Sequence, residues 1–344
     1  MTARTRVRDL LGWMAALGVC GVVLVFAARG ALDGAATLDR SHVADHAWAY
    51  ALATACVMAA VIVYGCVWTL LLAGTTGIAP GHRPKLLLAF LYSWASRYVP
   101  GTVPFFASKV YLCRKLGYRA RPALVSTSVQ NLLDVLVAGT TGALLLAVAG
   151  ALDGEHRALV LVLSASPAGL VLLHPRILRP VASRALRLFG RAPLADGDLP
   201  SGRRLMTAAG LTFVSQSLAG LALFAVLSTL TGVHPSDAAL STGALSVAGV
   251  AGMLALFAPA GIGVREGALA SLLSLHFPVE TAALAAVLFR GVSVLADVML
   301  LAAAFVYDAL QRDRLATRII GRPRDDPAQP REALPLALSE DPRP

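Results

Sequence analysis

The sequence predicts an all-α polytopic membrane protein, with about six spans plus two re-entrant helical hairpins that form an inverted repeat. Three observations lead there. Hydrophobic residues make up 57% of the 344 positions and charged ones 15%, with a mean hydropathy of +0.69, which is far from the balance of a soluble domain. The lysines and arginines are sorted by loop. Two apolar stretches are broken by proline, at Pro100 and Pro259, where a continuous span would otherwise run.

Taken in order, Arg4, Arg6 and Arg8 precede an apolar run over 10–28, long enough for the hydrocarbon core. The pattern imitates a signal peptide, but many spans follow, so it reads as an uncleaved first span. A mixed polar loop over 29–46 leads to a second span, 47–73, and a turn-rich connector, 74–85, carries Arg83 and Lys85. The piece 86–99 is short for a crossing, and Pro100-Gly101 separates it from a second short piece, 103–112, so the two read as a hairpin. Because Lys109, Arg114, Lys115, Arg119 and Arg121 follow its tip, the hairpin is expected to enter and leave on the cytoplasmic face, with Arg97 and Lys109 snorkelling to the headgroups.

Further spans are expected over 122–149, 158–173 and 205–230. Between the last two, Arg176, Arg179, Arg184, Arg187 and Arg191 share one arc of an amphipathic surface helix, which suits the anionic lipids of the cytoplasmic leaflet. Residues 238–258 enter the membrane again, break at Ala258-Pro259-Ala260-Gly261-Ile262-Gly263-Val264-Arg265-Glu266, and return over 264–277. The last span is 280–308. The tail over 311–344, with Pro323, Pro327, Pro330, Pro335, Pro342 and Pro344 among mixed charges, is expected to be disordered, leaving 1–310 as one integral membrane domain.

The basic residues test this topology. Cytoplasmic segments hold 25 of the 30 lysines and arginines, external loops hold Arg29, Arg40 and Arg157, and Arg265 and Arg290 fall at membrane depth. Both termini are therefore expected in the cytoplasm, in a multi-pass protein of the cell membrane. This sorting also accounts for the net charge of +10 without a nucleic-acid partner. Cys20, Cys56, Cys66 and Cys113 show no Cys-x-x-Cys spacing, and no His-Glu-x-x-His, phosphate-loop or hydrolase motif occurs. The expectation is a protein that is not an enzyme and uses no metal or cofactor.

Offsetting the chain by the 159 positions between Pro100 and Pro259 aligns Pro100-Gly101 with Pro259-Ala260, and Asn131 with Arg290. Break, short helix and long span recur in that order, from opposite faces. Such repeats aim half-helix N-termini, partially positive, at an anion near the midplane. Each charge at that depth needs a reason. Arg290, Ser293 and Asp297 share one helix face, as do Thr127, Gln130, Asn131 and Asp134. Arg290 pairs structurally with Asp297 or with Glu266, or else joins Arg265 as a counter-charge for an anionic head group.

Tyr98-Val99-Pro100-Gly101, Gln130-Asn131-Leu132-Leu133-Asp134, and above all Pro259 to Glu266 followed by Arg290, resemble the transmembrane region of lysylphosphatidylglycerol synthases and its stand-alone relatives. The likeness covers about 10–308. It implies a flippase-like unit that moves a lipid with an anionic or modified head group, such as a polyprenyl-phosphate-linked sugar or a modified phospholipid. Gln130-Asn131 stands where the family tends to have Glu-Arg, and the synthase's soluble aminoacyl-transferase domain is not expected here. On this reading Arg265 and Arg290 hold the phosphate, with Arg97, Asn131 and Asp134 as further lining residues. Glu266 and Asp297 position the arginines, and Pro100, Gly101, Pro259, Gly261 and Gly263 form the hinges. The rival expectation is a non-transporting scaffold for a membrane glycosyltransferase or lipid-modifying enzyme.

Overall fold

A computed structural model describes residues 44–76, 82–99, 103–149, 199–254 and 263–311, with the single positions 180 and 184. The expected first span, the span over 158–173, the basic surface helix apart from positions 180 and 184, the tail after 311 and both proline breaks lie outside these residues. Every described element is helical: α1 (Ala47–Thr76), α2 (Arg83–Trp94) running into a 3-10 turn (Ala95–Tyr98), α3 (Val103–Lys115), α4 (Ala120–Val148), α5 (Gly202–Leu227), α6 (Asp237–Leu254), α7 (Val264–Leu273) and α8 (Val279–Leu310).

Five of these helices, α1, α4, α5, α6 and α8, are long and apolar enough to cross a membrane. Four coincide with expected spans. The fifth, α6, was expected as the inward leg of the second hairpin. With 18 residues at 1.5 Å each it extends about 27 Å, close to the full hydrocarbon thickness. Apolar side chains also cover the outside of the bundle, among them Leu144, Phe213, Leu221, Leu295 and Phe305, as lipid contact requires.

α1 lies along α5, and α6 is wedged between α4 and α5. Two other contacts mirror one another. α2, expected as the first leg of the first hairpin, packs on α8, while α6, expected as the corresponding leg of the second, packs on α4. The short return helices stay local, α3 against α4 and α7 against α8.

Without a hydrophobic force between helices in lipid, close backbone approach holds the bundle together, and small residues permit it. A Cβ on Gly220 of α5 would lie 2.0 Å from Oγ1 and 2.5 Å from Cα of Thr242 on α6. Gly142 of α4 and Gly243 of α6 face each other so closely that a Cβ on either would come within 3.3 Å of the other's carbonyl oxygen. Gly220→Ala is thus expected to destabilise the protein by roughly 1–3 kcal/mol, the usual cost of overpacking. The control is Gly210→Ala on the same helix, where a Cβ meets nothing within 4 Å. Melting of the two purified variants should separate them. Equal stability would mean that the α5–α6 crossing is not close-packed in the membrane.

Candidate functional site

The middle of α8 carries the first part of the site. Arg290, Ser293 and Asp297 are all buried, at 8%, 6% and 8% exposure, as their shared face predicts. Which partners they meet was not legible. Asp297 does not pair with Arg290. Its carboxylate accepts from the Arg97 guanidinium, from the Tyr98 hydroxyl, and from Trp94 Nε1 at 2.9 Å, all at the end of α2 and in its 3-10 turn. The expectation that Arg97 snorkels to the headgroups is therefore overturned. A three-donor carboxylate on α8 holds it, and its guanidinium lies 4.2 Å from the Trp94 ring centre.

Arg290 pairs instead with Glu266, at 3.4 Å from Nη1 to Oε1, and lies 5.6 Å from the Tyr98 ring centre. Glu266 is also the third residue of α7, where its other oxygen accepts from the Gly263 backbone N–H at 2.8 Å and so caps the helix. Gly263 has φ +85°, a left-handed conformation that glycine adopts without the Cβ penalty. That conformation accounts for a glycine at position 263, and Pro100, Gly101, Pro259 and Gly261 lie outside the described residues. Arg265 occupies the first turn of α7, where the helix's partial positive charge disfavours a cation. Among the described residues it has no carboxylate within ion-pair distance, only the Phe289 ring at 5.9 Å, while Arg97, Arg290, Glu266 and Tyr98 lie within its electrostatic reach.

A cleft opens between α7 and α8, lined by Arg265, Glu266, Phe289, Arg290 and Ser293 with Leu269 and Ala286. Arg290 brings two unused donors to this region. Among the described residues its Nε and Nη2, both buried, make no hydrogen bond, as is also true of Arg97 Nε. Buried guanidinium donors without acceptors are costly, and a dianionic or monoanionic oxygen cluster would satisfy them in a planar fork.

The other half carries a second network. Lys109 is fully buried, which overturns its expected snorkelling too. Its ammonium donates to Gln130 Oε1 at 3.0 Å and is surrounded by Phe105, Phe90 and Trp68, at 4.2, 4.7 and 5.3 Å from the ring centres. Gln130 Nε2 donates to the Tyr64 carbonyl at 2.8 Å. Asp134 accepts from Gln216 Nε2 at 3.1 Å and from the Tyr64 hydroxyl at 3.4 Å, and Arg265 and Lys109 act on it electrostatically. Asn131, expected in the site, turns its amide back to the Thr127 carbonyl of its own helix at 3.0 Å. Its neighbour Gln130 takes the interior position. With Arg97 and Lys109 turned inward, the basic residues counted on the expected cytoplasmic side fall from 25 to 23 of 30.

The family model of the lysylphosphatidylglycerol synthase TM region matches residues 13–300 of the chain. No curated protein matches it significantly.

Proposed function

From the premise that the chain belongs to the lysylphosphatidylglycerol synthase transmembrane-region family, we propose that it moves a lipid with a phosphate-bearing head group between leaflets, without chemistry of its own. The observation that carries this is Arg290, buried beside the cleft with two donors unmet, next to Arg265 with no carboxylate in contact. In this reading the two guanidinium groups grip the phosphate. Glu266 holds Arg290 in place, and Asp297 fixes the first hairpin against α8. The mirrored packing of α2 on α8 and α6 on α4 supports two inverted halves, with the breaks at Pro100 and Pro259 as hinges.

The test is lipid extraction from purified protein followed by mass spectrometry, beside a leaflet-exchange assay in vesicles. One phosphate-bearing lipid should be enriched, and Arg290→Ala should lose it. If purified protein retains only bulk lipid and exchanges none, a scaffold for a glycosyltransferase or lipid-modifying enzyme becomes the better account.

The orientation is part of the proposal: both termini cytoplasmic, in the cell membrane. In a variant without native cysteines, single cysteines placed at Glu155 and Asp326 are expected to differ, with only the first labelled from outside. Labelling of both would remove the inverted arrangement.

A further inference from the structure

Resting on the phosphate-lipid reading, we propose that Asp134 is a proton-binding site linked to the cleft, so that head group and proton are taken up together. Two of the carboxylates described above are each in contact with a guanidinium, Asp297 with Arg97 and Glu266 with Arg290. Asp134 differs. Among the described residues its side chain meets only neutral donors, Gln216 Nε2 at 3.1 Å and the Tyr64 hydroxyl at 3.4 Å. It is the middle one of the 29 residues of α4, about 21 Å from either end at 1.5 Å per residue, and so lies near the midplane. A carboxylate at that depth with no cation in contact is costly while charged, and exchange of a proton is a physical reason to keep one there.

Both partners suit either protonation state. Gln216 presents its amide N–H to the carboxylate, while its Oε1 is buried and makes no hydrogen bond among the described residues. A half-turn of the amide offers that oxygen to the proton of a carboxylic acid. The Tyr64 hydroxyl likewise donates to the charged form and accepts from the neutral one. A site that only fixes a permanent anion needs donors alone. Nor is Asp134 sealed in: the residue is half-buried, whereas Lys109 is fully enclosed.

The charges that act on Asp134 are Lys109 of α3 and Arg265 of α7, neither in contact with it. α1 brings the Tyr64 hydroxyl, α5 brings Gln216, and α6 carries no titratable side chain but Asp237, in its first turn. Lys109 is held by Gln130 and its rings. Arg265, in contrast, lines the cleft. Its field serves Asp134 before a head group arrives and the phosphate afterwards. An anion beside Arg265 makes a second negative charge nearby less favourable, so Asp134 takes a proton from water as the lipid binds, and the head group need not touch it. By linkage the reverse holds: protonating Asp134 tightens lipid binding, and a proton gradient then supplies a driving force for lipid movement.

The experiment titrates the purified full chain in detergent with a short-chain phosphatidylglycerol, whose phosphodiester keeps its charge across the neutral range, so that any proton taken up belongs to the protein. Calorimetry in two buffers of different ionisation heat counts the protons taken up per lipid bound. Wild type is expected to take up close to one, and its affinity to fall by up to about tenfold per pH unit as pH rises, the slope of one linked proton. Asp134→Asn, which keeps polar partners for Gln216 and Tyr64, should abolish the uptake and flatten the pH dependence. Should it fail to fold, the wild-type pH series decides alone, and a flat affinity overturns the proposal. Binding that is lost with Arg290→Ala but takes up no proton in wild type overturns the coupling and leaves the transport reading standing. Uptake that persists in Asp134→Asn puts the proton on another group, Lys109 included, and overturns the assignment. Absence of binding at every pH overturns the phosphate reading and the coupling with it.

Discussion

Arg290→Ala is expected to lower lipid retention and exchange about a hundredfold, because two charge-assisted hydrogen bonds, at roughly 1.5 kcal/mol each, disappear from the phosphate grip. The same change strands Glu266, so a fall in activity alone would not separate binding from folding. The pairing in the structure names the control: Arg290 meets Glu266 at 3.4 Å, whereas Asp297 is occupied elsewhere. Adding Glu266→Gln to Arg290→Ala removes the stranded charge, and the neutral amide still reaches the Gly263 end of α7. The double variant should regain thermal stability and remain inactive. Recovery of full exchange in it would mean that Arg290 serves Glu266 and not a lipid. Arg290→Lys keeps the charge but loses the planar fork, so partial exchange with weakened retention is expected.

The largest effect on stability is expected at Asp297. Its carboxylate joins residues about 200 positions apart, tying the end of α2 and its 3-10 turn to α8. Asp297→Asn leaves the Arg97 guanidinium buried without its counter-charge, a change that costs roughly 3–5 kcal/mol at a buried pair. Melting in detergent should fall on the order of 10 °C. The charge-free pair Arg97→Met with Asp297→Leu should recover much of that loss, since a well-packed apolar pair often matches a buried ion pair. If Asp297→Asn melts with wild type, the hairpin is held by its rings and the carboxylate is dispensable to the fold.

How much of this could be read in the sequence follows from how far each signal reaches. The face of α8 that carries Arg290, Ser293 and Asp297 was legible, because a 3.6-residue period lies within one helix. The partner of Asp297 was not, because spacing within α8 says nothing of a residue on α2's 3-10 extension. Arg97 and Lys109 both sit beside basic loops, and there snorkelling is the reasonable expectation. What brings them inward is the convergence of rings and a carboxylate from α1, α2, α3 and α8, which only tertiary packing shows. Asn131 was favoured by the repeat offset over Gln130, yet one residue is 100° around a helix, and that turn decides which amide faces inward. Arg265 and Glu266 at the start of α7 were anticipated, since a proline-glycine break followed by charge marks a helix N-terminus in the sequence itself. α6, expected over 238–258 as a leg that turns back, is long and apolar enough to cross, because apolar composition does not distinguish the two.

The glycine crossings have a mechanical side. At Gly142 and Gly243 the backbones of α4 and α6 approach each other closely, flanked by Val247 and Leu146, and at Gly220 α5 is pressed against Thr242 of α6. If the protein moves lipid as proposed, helices packed this closely are expected to stay together, with α4, α5 and α6 as one body. Any stroke that admits a lipid must then be taken up by the short legs α2, α3 and α7, whose tethers to their neighbours include the polar and ring contacts of Arg97, Lys109 and Glu266. On that reading these contacts would be the latches of the moving parts. A disulfide clamping α4 to α6 should leave exchange running, while one clamping α7 to α8 should stop it.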